Sequence, residues 1–298
     1  PTISVAASKD PNGGRLTADE LAAFSSRGPT ASTTGRVLLK PDLSAPGVRI
    51  TSANAYVSNP ELIGANRSGT SMASPHVAGL MALLRAYRPD WSVADLKALA
   101  MTTAIHEVFD EEGAVYDPAR VGTGRVDPLA ALGAVIAFDA ERPQAVSITF
   151  DTRDVIAPTT ETRTMRIRNR GDTDANYTAS IALRSGIPGA VVRLEASQTG
   201  PIPPDGFVDI DLVLEADPAL MQHVRTPRVT AAYDDNQRYW ISEICGYVHL
   251  DPVDVGEPLR LPFYATLRPV SDLRARDNGV DERAGAEPIA IEGTGGTT

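Results

Sequence analysis

The chain is 298 residues long and 42% hydrophobic, enough apolar material for about two domains with real cores. Twenty-eight basic against 38 acidic residues give a formal charge of -10; that field repels nucleic acid and anionic membrane surfaces, and no local basic patch reverses it. Cys245 is the sole cysteine, so an intrachain disulfide is excluded and no Cys/His cluster has zinc spacing, while the longest apolar runs fall well short of the ~20 residues that span a bilayer.

In chain order, "PTISVAAS" has no initiator Met, charged n-region or apolar h-region. It reads as a buried strand over Ile3 to Ala7 that begins abruptly, so the chain is expected to be the C-terminal part of something longer. "GRLTADELAAFSSRGPT" reads as a connection into a turn at Gly28-Pro29, and "LSAPGVRITSA" as a short strand entered through the Pro46-Gly47 turn. Phe24 is read as core, and Gly28 and Gly47 as positions that need unusual dihedrals. Pro75 is placed in the tolerant first turn of a helix whose apolar face is Val77, Leu80, Met81, Leu83 and Leu84, ending before Pro89. A second helix follows in "WSVADLKALAMTTA", with Ser92 and Asp95 at capping-box spacing. The third is "DPLAALGAVIAF", where Asp127 caps and Pro128 takes the first position. That helix is expected to close an α/β domain with a parallel sheet over residues 1–139.

From residue 143 the texture changes to short segments: "AVSITF", "TRTMRIRNR", "NYTASIAL", "AVVRLEA", "FVDIDLVLEA", "YWISEICGYVHL" and "RLPFYATLR". Apolar and polar residues alternate in "TMRIR" and "VDIDLVL", and Gly, Pro, Asp and Asn separate the runs. Seven such strands point to an all-β immunoglobulin-like or fibronectin type III-like sandwich over 140–270. The remainder, 271–298, is charged, Gly-rich and nearly free of aromatics, the composition of a flexible tail or linker.

Chemistry concentrates at Ser71. A serine at a helix start has unpaired backbone N–H groups beside it that can hold an oxyanion, in the favourable field of the helix dipole. Its neighbours Gly69, Thr70, Ala73 and Ser74 are small enough for a substrate backbone to approach closely. A helix cap is the plainer reading of such a serine. The eleven residues "GTSMASPHVAG", Gly69 to Gly79, resemble the nucleophile motif of the subtilisin-like serine peptidases, the subtilases. "ISVAAS", "FSSRGP", "KPDLSAPG" and "GTGRVDPLAAL" are similar, in order and spacing, to later segments of that family's catalytic domain. The G-x-S-x-G elbow of esterases is absent, since Ala73 stands where its second Gly belongs.

The resemblance implies that Ser71 is the nucleophile, that its own N–H is one oxyanion donor, and that Gly69, Thr70 and Met72 line the substrate cleft. His76 is not the base: on the same helix it stands about 140° around and ~7.5 Å further along, and it is expected to be a packed structural histidine. His106, His223 and His249 follow Ser71, none is followed by Gly, and Asp10 and Asp42 lack the family's Asp-Ser/Thr-Gly motif. Asn12 does not match the family's oxyanion amide. The catalytic Asp, His and Asn are therefore expected upstream of Pro1, and the 298 residues alone are expected to be inactive. The resemblance further implies protein or peptide substrates, an extracellular or cell-surface location and no required cofactor or metal. A structural calcium is the alternative to reading Asp10 as a turn residue. The competing function is a non-catalytic extracellular binding protein built on a degenerate peptidase domain.

Overall fold

The computed structural model describes residues 2–9, 19–31, 37–54, 64–226, 232–233, 236–237, 242–271, 274–275 and 291–292. Asp10, Asn12 and most of the expected tail lie outside these residues, so the readings placed on them do too.

The first segment is built on a four-stranded sheet. In chain order its elements are β1 (Val5–Lys9), β2 (Asp19–Leu21), β3 (Thr30–Ala31), β4 (Val37–Leu38), β5 (Leu43–Pro46), β6 (Ile50–Ala53) and β7 (Gly64–Arg67), then α1 (Thr70–Tyr87), α2 (Val93–Thr102), β8 (Val108–Phe109) and α3 (Pro118–Val121). The sheet order is β5-β1-β2-β8. It is mixed, not parallel as expected: β1 runs parallel to β5 but antiparallel to β2, and β2 parallel to β8. Only nine residues separate β1 from β2, fewer than a parallel crossover needs. β2 itself falls where a plain connection was expected; Asp19 and Leu21 are buried there.

α2 keeps its expected start, with Ser92 Oγ accepting from Asp95 N at 3.1 Å. The third helix does not form. Asp127 does cap, its Oδ1 accepting from Leu129 N and Ala130 N at 2.9 and 3.1 Å, but the helix is a single 3-10 turn, Ala130–Leu132. Gly133 ends it, and the β-branched and aromatic run after it becomes β9 (Val135–Asp139), hydrogen-bonded to β11.

β9 thus opens the second region. The strands that follow are β10 (Ile148–Val155), β11 (Thr159–Asn169), β12 (Tyr177–Ser185), β13 (Ala190–Leu194), β14 (Phe207–Ala216), the two-residue β15 (Ala232–Tyr233) and β16 (Asn236–Gln237), β17 (Ser242–Pro252), β18 (Leu259–Pro269), and the short β19 (Arg274–Ala275) and β20 (Ile291–Glu292). Two four-stranded sheets, β13-β14-β11-β9 and β10-β18-β17-β12, face each other. Met165 and Ile167 of β11, Ile210 and Leu212 of β14 and Leu259, Leu261, Phe263 and Leu267 of β18 fill the space between them, in one core continuous with that of α1 and α2.

β18 is buried without interruption from Leu259 to Leu267. One face points into this core. The other carries Arg260 and Tyr264 and, with Glu243, Cys245 and Tyr247 of β17, docks on the first segment. Polar strand residues are tolerated there because each finds a partner. Tyr247 Oη donates to Gly122 O at 2.7 Å, Tyr264 Oη to Glu243 Oε1 at 2.5 Å, and Glu243 also takes Thr226 Oγ1 at 2.6 Å and pairs with Arg27. Burial pushes the Cys245 thiol up, which keeps it unreactive at neutral pH.

Candidate active site

Ser71 is placed by the strand end beneath it and the helix it opens. The β6–β7 hairpin brings the chain in, held by Asn66 Nδ2 donating to Arg49 O at 3.0 Å and to Thr51 Oγ1 at 3.1 Å, and by Ser68 Oγ accepting from Arg49 N at 2.9 Å. Gly69 N then donates to Gly47 O at 2.8 Å, tying the helix start to the end of β5. Gly47 is needed for this contact and not for its dihedral: a Cβ there would stand 2.6 Å from Ala7 Cβ and 2.9 Å from Gly69 O. Gly28 is likewise a close approach, against the backbone of Lys40. Gly69 itself has φ 157°, at the edge of the region that favours glycine.

Gly69 is the N-cap and has no side chain to cap with, and Ser71 lies two residues beyond it, exposed. Ser71 is not the cap. The amides of Met72 and Ala73 reach Gly69 O at 3.0 and 3.4 Å, so the Thr70 and Ser71 amides precede the first rung of the ladder and keep their donors. Met72 is half-buried, and its Sδ lies 3.5 Å from where a Cβ on Gly69 would stand. Thr70 O accepts from Ser74 Oγ at 3.1 Å. Since α1 begins at Thr70, Pro75 lies beyond its first turn, and the i to i−4 bond that Pro75 cannot donate is the one to Ser71 O.

α1 rests on β1 and β5 through Ala73, Val77, Leu80 and Leu84. Leu83, expected on that face, is 68% exposed, because four positions at helical spacing exhaust the face the sheet covers. Ala78, Gly79, Ala82 and Ala86 are also exposed. His76 is exposed and not packed as expected; its Nδ1 lies 2.9 Å from Met72 O, one turn back along its own helix. Phe24, expected in the core, is 51% exposed.

Asp42 and His106 are engaged elsewhere. Asp42 lies at the opposite end of β5 from Gly47, five residues or ~16 Å away at strand rise. It is buried, accepts from Ser4 N at 2.7 Å and Lys40 Nζ at 2.5 Å, and has Lys97 Nζ at 3.4 Å. Burial drives the Lys97 ammonium below its ordinary value, with the Asp42 charge acting against the shift. His106 Nε2 is 2.7 Å from Asp127 Oδ2. Burial pushes the Asp127 carboxyl up, but the Ala130 and Leu129 amides and the His106 ring outweigh it and hold the carboxyl low. His249 is in β17. Among the described residues no group of three or more His, Cys, Asp and Glu side chains could hold a metal ion, and no helix is long and apolar enough to cross a membrane.

Sequence reasoning missed the loop that braces β5. Gly124 O accepts from Ser44 N at 2.8 Å and Ser44 O from Val126 N at 2.9 Å, so the loop Gly122 to Val126 runs along β5. Gly122 and Gly124 have φ of 65° and 127°. The Gly-x-Gly spacing was the available signal, since two nearby glycines at a chain crossing mark close approach.

Residues 1–135 match the sequence profile of the Subtilase family. Subtilisin-like protease SBT3.11 of Arabidopsis thaliana is 43% identical over an alignment of 152 positions that covers 47% of this chain and 19% of that protein. Minor extracellular protease Vpr of Bacillus subtilis is 42% identical over 107 residues, 36% of this chain and 13% of that protein. The chain therefore spans a fifth or less of the length of these relatives. Fervidolysin of Fervidobacterium pennivorans, described as a keratinolytic enzyme related to subtilisin, aligns with 90% of this chain and 49% of its own at 17% identity, with a TM-score of 0.31, a likeness too distant to bear on the fold. The profile match and the protease relatives agree, and over residues 1–135 the chain is similar to the subtilase family.

Proposed function

We propose that the protein is a secreted serine endopeptidase that cleaves peptide bonds through an acyl-enzyme on Ser71, with the catalytic Asp, His and oxyanion Asn supplied by polypeptide upstream of Pro1. The observation that carries this is Ser71 itself. It is exposed, one residue inside an 18-residue helix, beside two amides ahead of the ladder and a glycine whose bare backbone leaves room for a substrate. Ser71 Oγ attacks the scissile carbonyl, the upstream histidine takes its proton and returns it to the leaving amine, and the Ser71 N–H receives the oxyanion. Gly69, Thr70 and Met72 line the cleft. The open face of α1, with Leu83, Ala78 and Ala82, fits coverage by the remainder of the catalytic domain.

The second region is read as an immunoglobulin-like or fibronectin type III-like module. In support, its two sheets hold eight strands, with an antiparallel majority and β10 running parallel to β18 at one edge. Substrates are proteins or peptides, with no nucleic acid partner. The expected result with the full-length protein is rapid covalent labelling of Ser71 by a fluorophosphonate, lost in Ser71→Ala, whose folded stability stays within ~0.5 kcal/mol because the site is exposed. The 298 residues alone are expected to be neither labelled nor active on casein; prompt labelling of that piece would refute the need for upstream partners. A full-length protein that leaves Ser71 unlabelled would be a binding protein.

A further inference from the structure

Arg260 is fully buried, yet it extends from a sandwich strand and its hydrogen bonds go to the subtilase segment. Its Nε donates to Thr123 O, its Nη2 to His106 O at 3.2 Å, and its Nη1 pairs with Glu107 Oε1 at 2.9 Å, an oxygen that Arg184 of β12 also takes. The guanidinium lies 4.4 Å from the Tyr247 ring centroid, and the Tyr247 hydroxyl holds Gly122 O. Three carbonyls of the subtilase segment are thus gripped from one sandwich face.

The gripped loop is joined to the helix start mostly by backbone hydrogen bonds along β5. Thr123 N and Oγ1 both donate to Asp42 O, at 2.9 and 3.2 Å, and Gly124 and Val126 bracket Ser44 on β5. β5 ends at Pro46, Gly47 O accepts from Gly69 N, and Ser71 follows two residues later. The loop is closely packed at both of its glycines: a Cβ on Gly124 would overlap Arg260 Nη2 and the Ala104 and His106 carbonyls, and one on Gly122 would overlap the backbone of Asp42 and Leu43. Chain crossings this close transmit a displacement instead of absorbing it.

We propose that Arg260, with Tyr247, is a positioning residue for Ser71: the sandwich fixes the height of the Gly122–Val126 loop, and through β5 and Gly47 the orientation of the helix start that carries the nucleophile. The module is on this account a working part of the peptidase and not a detachable ligand-binding unit. The proposal rests on Ser71 being the nucleophile.

The test uses the full-length protein and reads kcat, KM and the fluorophosphonate acylation rate per titrated active site, with thermal melting to confirm that each variant is folded at the assay temperature. Arg260→Lys, which keeps the charge but cannot span the three acceptors, is expected to lower kcat about 10- to 100-fold, the scale of a sub-ångström to 1 Å misplacement, with KM within about twofold. Tyr247→Phe, which keeps the ring and loses one hydrogen bond, is expected to lower it ~3- to 10-fold. Arg166→Gln, on the exposed Arg166–Asp209 pair of the opposite sheet, is expected to match the parent. Variants that melt earlier but keep the parental kcat and acylation rate per active site would overturn the positioning role and leave only a stabilising one. If Arg260→Lys does not fold, Tyr247→Phe decides alone. A parent that is not labelled at Ser71 overturns the nucleophile reading, and this proposal with it.

Discussion

Ser71 owes its exposure to Gly69. With no Cβ, Gly69 lets the chain cross the end of β5 at hydrogen-bond distance and turn directly into α1, so the next residues leave the helix start facing outward. Gly69, Thr70, Ser71 and Met72 are contiguous, and the helix start they form was legible from sequence because such a start is a local event set by a few dihedrals. His76 was half legible. Helical spacing alone separates it from Ser71, but its exposure depends on what covers α1. Met72 gives a direct prediction. Its thioether folds back over Gly69, so, with Ser71 as the proposed nucleophile, peroxide is expected to convert it to the sulfoxide and abolish peptidase activity of the full-length protein, whereas Met72→Leu keeps that activity. Activity followed over time in peroxide checks this; equal loss in parent and variant would remove Met72 from the cleft.

Among the elements, strands that alternate were read correctly and strands buried on both faces were read only as apolar runs. In β11 the buried Met165 and Ile167 alternate with the half-buried Arg166 and Arg168, so period two declares the sheet's inner side. In β17 and β18 the outer side is covered too, so Cys245, Tyr247 and Tyr264 are as buried as their neighbours and no alternation remains. His249 is opposite Arg260 in that pair. Burial, then the Arg260 charge, lowers its pKa below 6.5. The sign follows: the unfolded chain takes up this proton first, so stability at this site is complete above pH 6.5 and falls as pH drops from 6.5 through the lowered folded value. Denaturant melts at pH 7.5 and 5.5 are expected to show this acid loss in the parent and a smaller one in His249→Gln; equal losses would place the acid sensitivity elsewhere.

For the whole molecule, a core that runs unbroken from α1 and α2 into both sandwich sheets, together with the Arg260 and Glu243 clusters, makes two sequence textures one mechanical body. Separate modules joined by a linker would melt independently. The full chain is expected to unfold with the sandwich and the subtilase segment in a single calorimetric transition, and with amides of α2 and β18 exchanging at similar free energies. Two resolved transitions would show that the docked face is an adhesion of independent domains.

The sequence by itself determined what local chemistry decides. "GTSMASPHVAG" pointed to the family and the nucleophile candidate, Ser92 and Asp95 to the start of α2, and seven apolar runs to seven of the eight strands of the two facing sheets. The tertiary structure decided everything that depended on a distant partner. "VIAF" is a strand and not a helix because β11, from a later stretch of chain, offers it a ladder. β2 pairs antiparallel because its connection is too short for a crossover. Arg260 acquires its role because a sandwich face, 125 residues from Gly122 at Tyr247 and 137 from Thr123 at Arg260, closes over the loop that runs along β5. Dihedral preference and periodicity act over a few residues and so can be read along the chain; burial and hydrogen-bond satisfaction are settled between segments that meet only once it has folded.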